Sequence, residues 1–220
     1  MKKILLLFVL TSQLGFAQFN QQRVWNFQDA MARDPAKEII AQGSPFIQDE
    51  FSPVRLNKFK DKVFNARYNA YHQEMHIETS EKTIALDVND DYTVTFLGSN
   101  KVYKTVDYTD KNSDEKRGFL VVVTETNDYS LYKKEEIIFQ DLVPAKTSYD
   151  KEKPAKYKRL DDKYYIKLSN KVSYFSVRKK DIINSFPKNS KAIKSFIKEN
   201  KISLNEDKDI AKLAGFLATL

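Results

Sequence analysis

The sequence predicts a mainly β, α+β protein. It is read as an antiparallel meander of about ten strands, forming a curved sheet, half-barrel or flattened barrel, with a short N-terminal helix and a C-terminal helical pair. Three observations predict this. Apolar residues recur with a period of two through residues 45–177. Tight turns join most of these segments and force antiparallel neighbours. Helical spacing replaces the period of two on both sides of that region.

Taken in order, Val24, Phe27 and Met31 recur at i, i+3 and i+7 within residues 20–42, a helical stripe. Asp34-Pro35 has the form of an N-cap followed by proline at the first helical position, and Gly43 is a natural stop. Ser44-Pro45 opens an extended region. Residues 63–71 and 74–79 read as strands around a His72-Gln73 turn, and Ile84, Leu86 and Val88 alternate on one face. Residues 92–97 and 101–108 flank Gly98-Ser99-Asn100, a three-residue hairpin loop. Residues 118–126 are apolar on both faces and predict a central, doubly covered strand. Strands over 129–139, 157–160, 164–168 and 172–177 complete the series. The charged stretches 109–116 and 146–155 read as surface loops.

Helical spacing then resumes. Residues 181–186 form a short turn before Pro187, and Ser190 is placed to cap a helix with Ile193, Phe196 and Ile197 on one face. Ser203-Leu204-Asn205-Glu206 has capping-box spacing, and Ile210, Leu213, Ala214 and Leu217 follow at i, i+3, i+4 and i+7. The chain divides into a signal peptide (1–17), an N-terminal helical segment (18–42), an antiparallel β domain (43–178) and C-terminal helices packed on the sheet (179–220).

The signal peptide rests on Lys2 and Lys3, the unbroken apolar run 4–10, and Gly15-Phe16-Ala17 before Gln18, where cleavage is expected. The expected location is therefore outside the cytoplasm, in the periplasm or at the cell exterior. No later apolar run approaches the length that spans a bilayer. Hydrophobic residues make up 41% of the 220, enough for a folded globule and too many for a disordered chain. Cysteine is absent. That excludes a lipid-anchoring cysteine, a thiol nucleophile and a thiolate metal site, and it leaves stability to packing.

Net charge is +7 and uneven. Residues 18–142 carry 16 basic and 21 acidic side chains, whereas 143–220 carry 19 basic and 9 acidic. A basic C-terminal third suits anionic lipid headgroups, an acidic polymer or an acidic partner; lysine as a general solubilising residue also accounts for it.

Gly43-Ser44-Pro45-Phe46, with Phe51 following, leads into Arg67-Tyr68-Asn69-Ala70-Tyr71 and Glu74-Met75. This layout resembles a group of uncharacterised exported proteins of Bacteroidota, signal-peptide-bearing and built on a domain of unknown function. The resemblance implies a Gly-Ser-Pro-aromatic start, an Arg-Tyr-Asn-x-Tyr strand, further strands and a C-terminal helical pair. It implies a structural, aromatic-rich hairpin and no established activity.

Candidate chemistry is sparse. His72, Glu74 and His76 alternate, and in an extended strand they could share a face and bind zinc; a polar, solvated hairpin face is the alternative. Asp87, Asn89, Asp90 and Asp91 suggest oxygen ligands, but Tyr92 and Gly98 stand where a calcium loop needs glycine and glutamate, so an Asx-rich turn fits better. Glu125, Glu135 and Glu136 could pair as hydrolase carboxylates, although strand glutamates usually face water. Residues 156–159 and 163–167 interleave bases with aromatics; export argues against nucleic acid, and lysines beside core-facing aromatics explain the pattern. No residue is assigned as catalytic, cofactor-binding or metal-binding, and no cofactor is implied.

Three functions follow as expectations. The first is a non-enzymatic exported envelope protein binding another protein or an anionic surface polymer. The second is a periplasmic carrier of a lipid or hydrophobic ligand in the concave face of the sheet, suggested by 15 Phe and 12 Tyr. The third is a hydrolase using an unrecognised acidic pair.

Overall fold

A computed structural model describes residues 34–38, 41–145, 147 and 151–220. Its strands are β1 (Ser52–Leu56), β2 (Val63–Asn69), β3 (Glu74–Glu78), β4 (Thr83–Ala85), β5 (Thr93–Phe96), β6 (Val102–Thr109), β7 (Glu115–Glu125), β8 (Ser130–Lys134), β9 (Ile137–Gln140), β10 (Lys156–Arg159), β11 (Lys163–Lys167) and β12 (Val172–Phe175). Three helices follow: α1 (Lys179–Ser185), α2 (Ser190–Glu199) and α3 (Asp207–Leu217).

Ten strands form one sheet in the order β12-β11-β8-β7-β6-β5-β1-β2-β3-β4, and β9 pairs with β10 alone. β12 also pairs in parallel with β6, Val172 opposite Tyr108. That contact closes β6, β7, β8, β11 and β12 into a five-stranded barrel, and the remaining strands continue from it as an open sheet. Of the expected curved sheet, half-barrel or flattened barrel, the structure shows a closed five-stranded barrel with an open sheet extending from it. The meander is also interrupted: β5 lies beside β1 rather than β4. A bulge between Val122 and Thr124 shifts the β7–β8 register and adds the local twist that closure of so few strands requires.

The barrel is too narrow to leave a pore. Tyr108, Leu120, Tyr132, Tyr165 and Val172 fill it, with Val106, Val122 and Tyr174 against them. Gly118 sits where a side chain would meet the Tyr108 ring. The outward-facing residues of the same strands serve two further cores. Tyr103, Phe119 and Val121 pack with the open sheet. Leu131, Tyr164, Ile166 and Phe175 pack with Ile182, Ile193, Ile210 and Leu213 of the helices. β7 is thus covered on both faces, as its sequence predicts.

Several expectations need correction. Residues 34–38 have no regular structure and Gln42 forms a bridge to Lys156, so this part of the predicted 20–42 helix is not helical; residues 20–33, 39 and 40 lie outside the described residues, as do 1–17. The surface loop expected over 109–116 is exposed but shorter, confined to 110–114. Residues 109, 115 and 116 are strand ends around a turn in which Asp110 accepts the amides of Asn112 and Asp114, at 2.8 and 3.1 Å. The predicted 129–139 strand is two strands, β8 and β9, separated at Glu135-Glu136. The helical pair is α2 and α3, preceded by the additional α1. Ser190 is the first residue of α2 and makes no capping bond. α3 starts three residues later than the capping-box spacing implies, and the carboxylate that reaches back is Asp209, accepting from the Ser203 amide at 2.8 Å.

Candidate functional site

The Gly-Ser-Pro-aromatic and Arg-Tyr-Asn segments meet. Pro45 carbonyl oxygen accepts the amides of Ala70 and Tyr71, and the Ile47 amide donates to Tyr68. Ser44 is bonded to Asp49, and its hydroxyl accepts the Phe46 amide. Arg67 lies over Phe46 at 3.6 Å and Phe51 at 4.6 Å, and donates to the Asp49 carbonyl. Buried Asn69 accepts the amides of Tyr71 and His72 and so holds the β2–β3 turn.

This arrangement covers the hairpin face that carries the candidate zinc residues. Glu74 and His76 are buried there, 3.0 Å apart, rather than solvated. Phe46 packs edge-on against His76, and the Ala36 amide donates to Glu74. His72 stays in the turn, its ring against Tyr71. Among the described residues no three His, Cys, Asp or Glu side chains are gathered to hold a metal.

Asp87 accepts the Asn89 amide, while Asp90 and Asp91 engage Lys58 and Arg117, an Asx turn tied by ion pairs. Among the glutamates, Glu125 pairs with Lys104 and Glu136 with Lys163. Glu135 departs from the expectation that these carboxylates face water. It is buried, takes both oxygens to Lys101 at 2.7 and 2.8 Å, accepts the Tyr103 hydroxyl and meets Arg159 at 3.3 Å. Burial, then the charge and hydrogen bond of Glu135, push the Tyr103 phenol far above its ordinary range, so it remains a donor. The Gln73 amide adds a bond to the Glu135 carbonyl. This knot ties the β8–β9 step to β6 and the β2–β3 turn. All three glutamates are engaged by cations, and no two of them form a free pair.

The basic and aromatic segments separate by face. Tyr157 is buried while Lys156, Lys158 and Arg159 are exposed. Tyr165 enters the barrel, and Tyr164 and Ile166 face the helices.

The feature that composition hints at and structure localises is the cationic surface of the helical unit. Arg178, Lys179, Lys180, Lys188, Lys191, Lys194, Lys198, Lys201, Lys208 and Lys212 are all exposed. Among the described residues none of them makes an ion pair or side-chain hydrogen bond, in contrast to Lys58, Lys101, Lys104, Lys116, Lys133, Lys163 and Lys171. Three of the five local acids are spent elsewhere, Asp181 on Ser176, Asp207 on Lys133 and Tyr164, and Asp209 on Ser203, while Glu199 and Glu206 are exposed and pair with none of these cations. Lys191, Lys194 and Lys198 recur at i, i+3 and i+7 on α2, opposite buried Ile193 and Ile197. Next to α3 an open groove of about 640 Å³ crosses β7, lined by Val121 and Val123 and by Lys101, Lys133, Lys208 and the carboxylate Asp207.

Scans against protein-family models, curated proteins and solved structures find no match to this chain. No helix among the described residues is long and apolar enough to cross a membrane.

Proposed function

We propose that this protein binds an anionic partner, another protein or an acidic surface polymer, through the lysine-bearing side of its C-terminal helices. It acts outside the cytoplasm, after removal of residues 1–17. The reading is a binding function rather than an enzymatic one. The observation that carries it is the excess of exposed cations over residues 178–212, ten that make no ion pair among the described residues against two exposed acids, Glu199 and Glu206, since such an excess raises the local potential felt by a polyanion. The carrier reading draws no support from the barrel, whose interior is occupied by tyrosines.

The test is binding of polyglutamate and dextran sulfate to the mature protein across a salt series. Binding is expected, weakening steeply as salt rises. Joint Lys191→Glu, Lys194→Glu and Lys198→Glu replacement is expected to lower affinity at least roughly ten-fold at low salt. Salt-independent binding, or equal affinity for the triple variant, would overturn the reading.

A further inference from the structure

An apolar cleft of about 170 Å³ opens between the β11–β12 hairpin and α1. Ile166, Leu168 and Phe175 line it from the hairpin, and Ile182, Ser185 and Phe186 from the helix. Leu168 is among the few large apolar residues left exposed, at 37%. The volume is informative. It falls well below the roughly 300–1,000 Å³ of sites for whole small molecules. It matches an apolar cavity of about 150 Å³ that takes up benzene. The cleft is therefore sized for one phenyl ring.

The charges next to its helical lining in sequence are also one-sided. α1 begins with Lys179 and Lys180 after Arg178, and Lys188 follows Phe186-Pro187 directly. None of the four has an ion-pair partner among the described residues. The only acid in this stretch, Asp181, accepts the Ser176 hydroxyl at 2.7 Å. An occupant must therefore present an aromatic ring inside and negative charge outside.

We propose that this cleft is the anchor site for an acidic peptide segment of a partner protein, receiving a Phe or Tyr ring flanked by Asp and Glu. The inference rests on the anionic-partner reading and narrows it to a protein. Ring burial would supply affinity and register, while the lysines supply attraction and orientation.

The test uses fluorescence anisotropy with two labelled peptides of alternating Asp and Glu, one with a central Phe and one with Ala in its place. The Phe peptide is expected to bind roughly ten-fold or more tightly, the effect of burying one ring. Ser185→Trp fills the cleft from an exposed position and is expected to reduce the Phe peptide to the Ala level without changing Ala-peptide affinity. Leu168→Asp gives a second reading should the first variant fail to fold, as circular dichroism would reveal; it is expected to abolish the Phe preference. Equal affinity of the two peptides overturns the inference while leaving the anionic-partner reading intact. Persistence of the Phe preference in a folded cleft variant overturns it too. If neither peptide nor polyglutamate binds, both readings fall.

Discussion

Asn69 shows how one buried polar side chain fixes a chain reversal. Its carbonyl oxygen takes the amides of Tyr71 and His72; the Tyr71 amide also reaches the Pro45 carbonyl at 3.3 Å, so it is the His72 amide that would otherwise lose its water without gaining an acceptor. Asn69→Ala is expected to cost about 2 kcal/mol in urea denaturation, the penalty of leaving such a donor unmatched. Asp207 gives a pH signature. Burial works to raise its pKa, but the hydrogen bonds from Lys133 and Tyr164 outweigh burial and hold the carboxyl below its ordinary value. A carboxyl depressed in the folded state stabilises it above the unfolded pKa, about 3.9, and that contribution is lost as pH falls further toward the folded value. Acid unfolding below about pH 4 is therefore expected to flatten in Asp207→Asn relative to the native chain, read by circular dichroism. At this scale the sequence is only partly legible. The alternation over 63–71 and 74–79 announces a hairpin around His72-Gln73, and β2 and β3 form one. Glu135 is misread because it occupies the step between β8 and β9, where a period of two no longer says which way a side chain points. Glu74 and His76 are misread because their cover comes from residues 34–38 and 44–49, which no local pattern links to them.

Among elements, the strands with clear alternation are legible and the short ones are not. β1, Ser-Pro-Val-Arg-Leu, is brief and carries proline, and within the extended region after Ser44-Pro45 nothing singles it out; yet it is the strand that separates β2 from β5 in the sheet. α2 and α3 are legible because their apolar stripes are long enough to carry the helical period. α1, with a single fully buried residue, Ile182, is not. The start of α3 slips by a turn because Asp209, beyond the apparent capping box, makes the bond to Ser203. The helices are held mainly by packing: none of the three has an N-terminal side-chain cap, and a C-terminal one is Asn200, whose amide donates to the Phe196 carbonyl at 3.0 Å. Ile193 is fully buried between them and the barrel. Ile193→Ala is expected to cost about 3 kcal/mol by thermal or urea melting, the usual effect of emptying such a site.

At the scale of the whole molecule, the barrel acts as a shared wall. Its inner residues form their own core, and its outer residues serve the open sheet on one side and the helices on the other. The mainly β architecture and its rough strand count are legible from periodicity. Closure is not, because it depends on β12 meeting β6, two strands far apart in sequence whose pairing leaves no local mark. That seam also sets an order of events. β5 covers the start of the β6 edge, but its end at Tyr108 and Thr109 has no mate until Val172 and Ser173 have emerged, and such distant pairing makes for slow folding. During synthesis the sheet must wait, with this end of β6 bare, for its last member. Chains ending before Val172 are expected to aggregate through that edge, visible as loss of the monomer peak in size-exclusion chromatography. Anything that shields a nascent edge, a chaperone above all, would govern how much of this protein reaches its folded state.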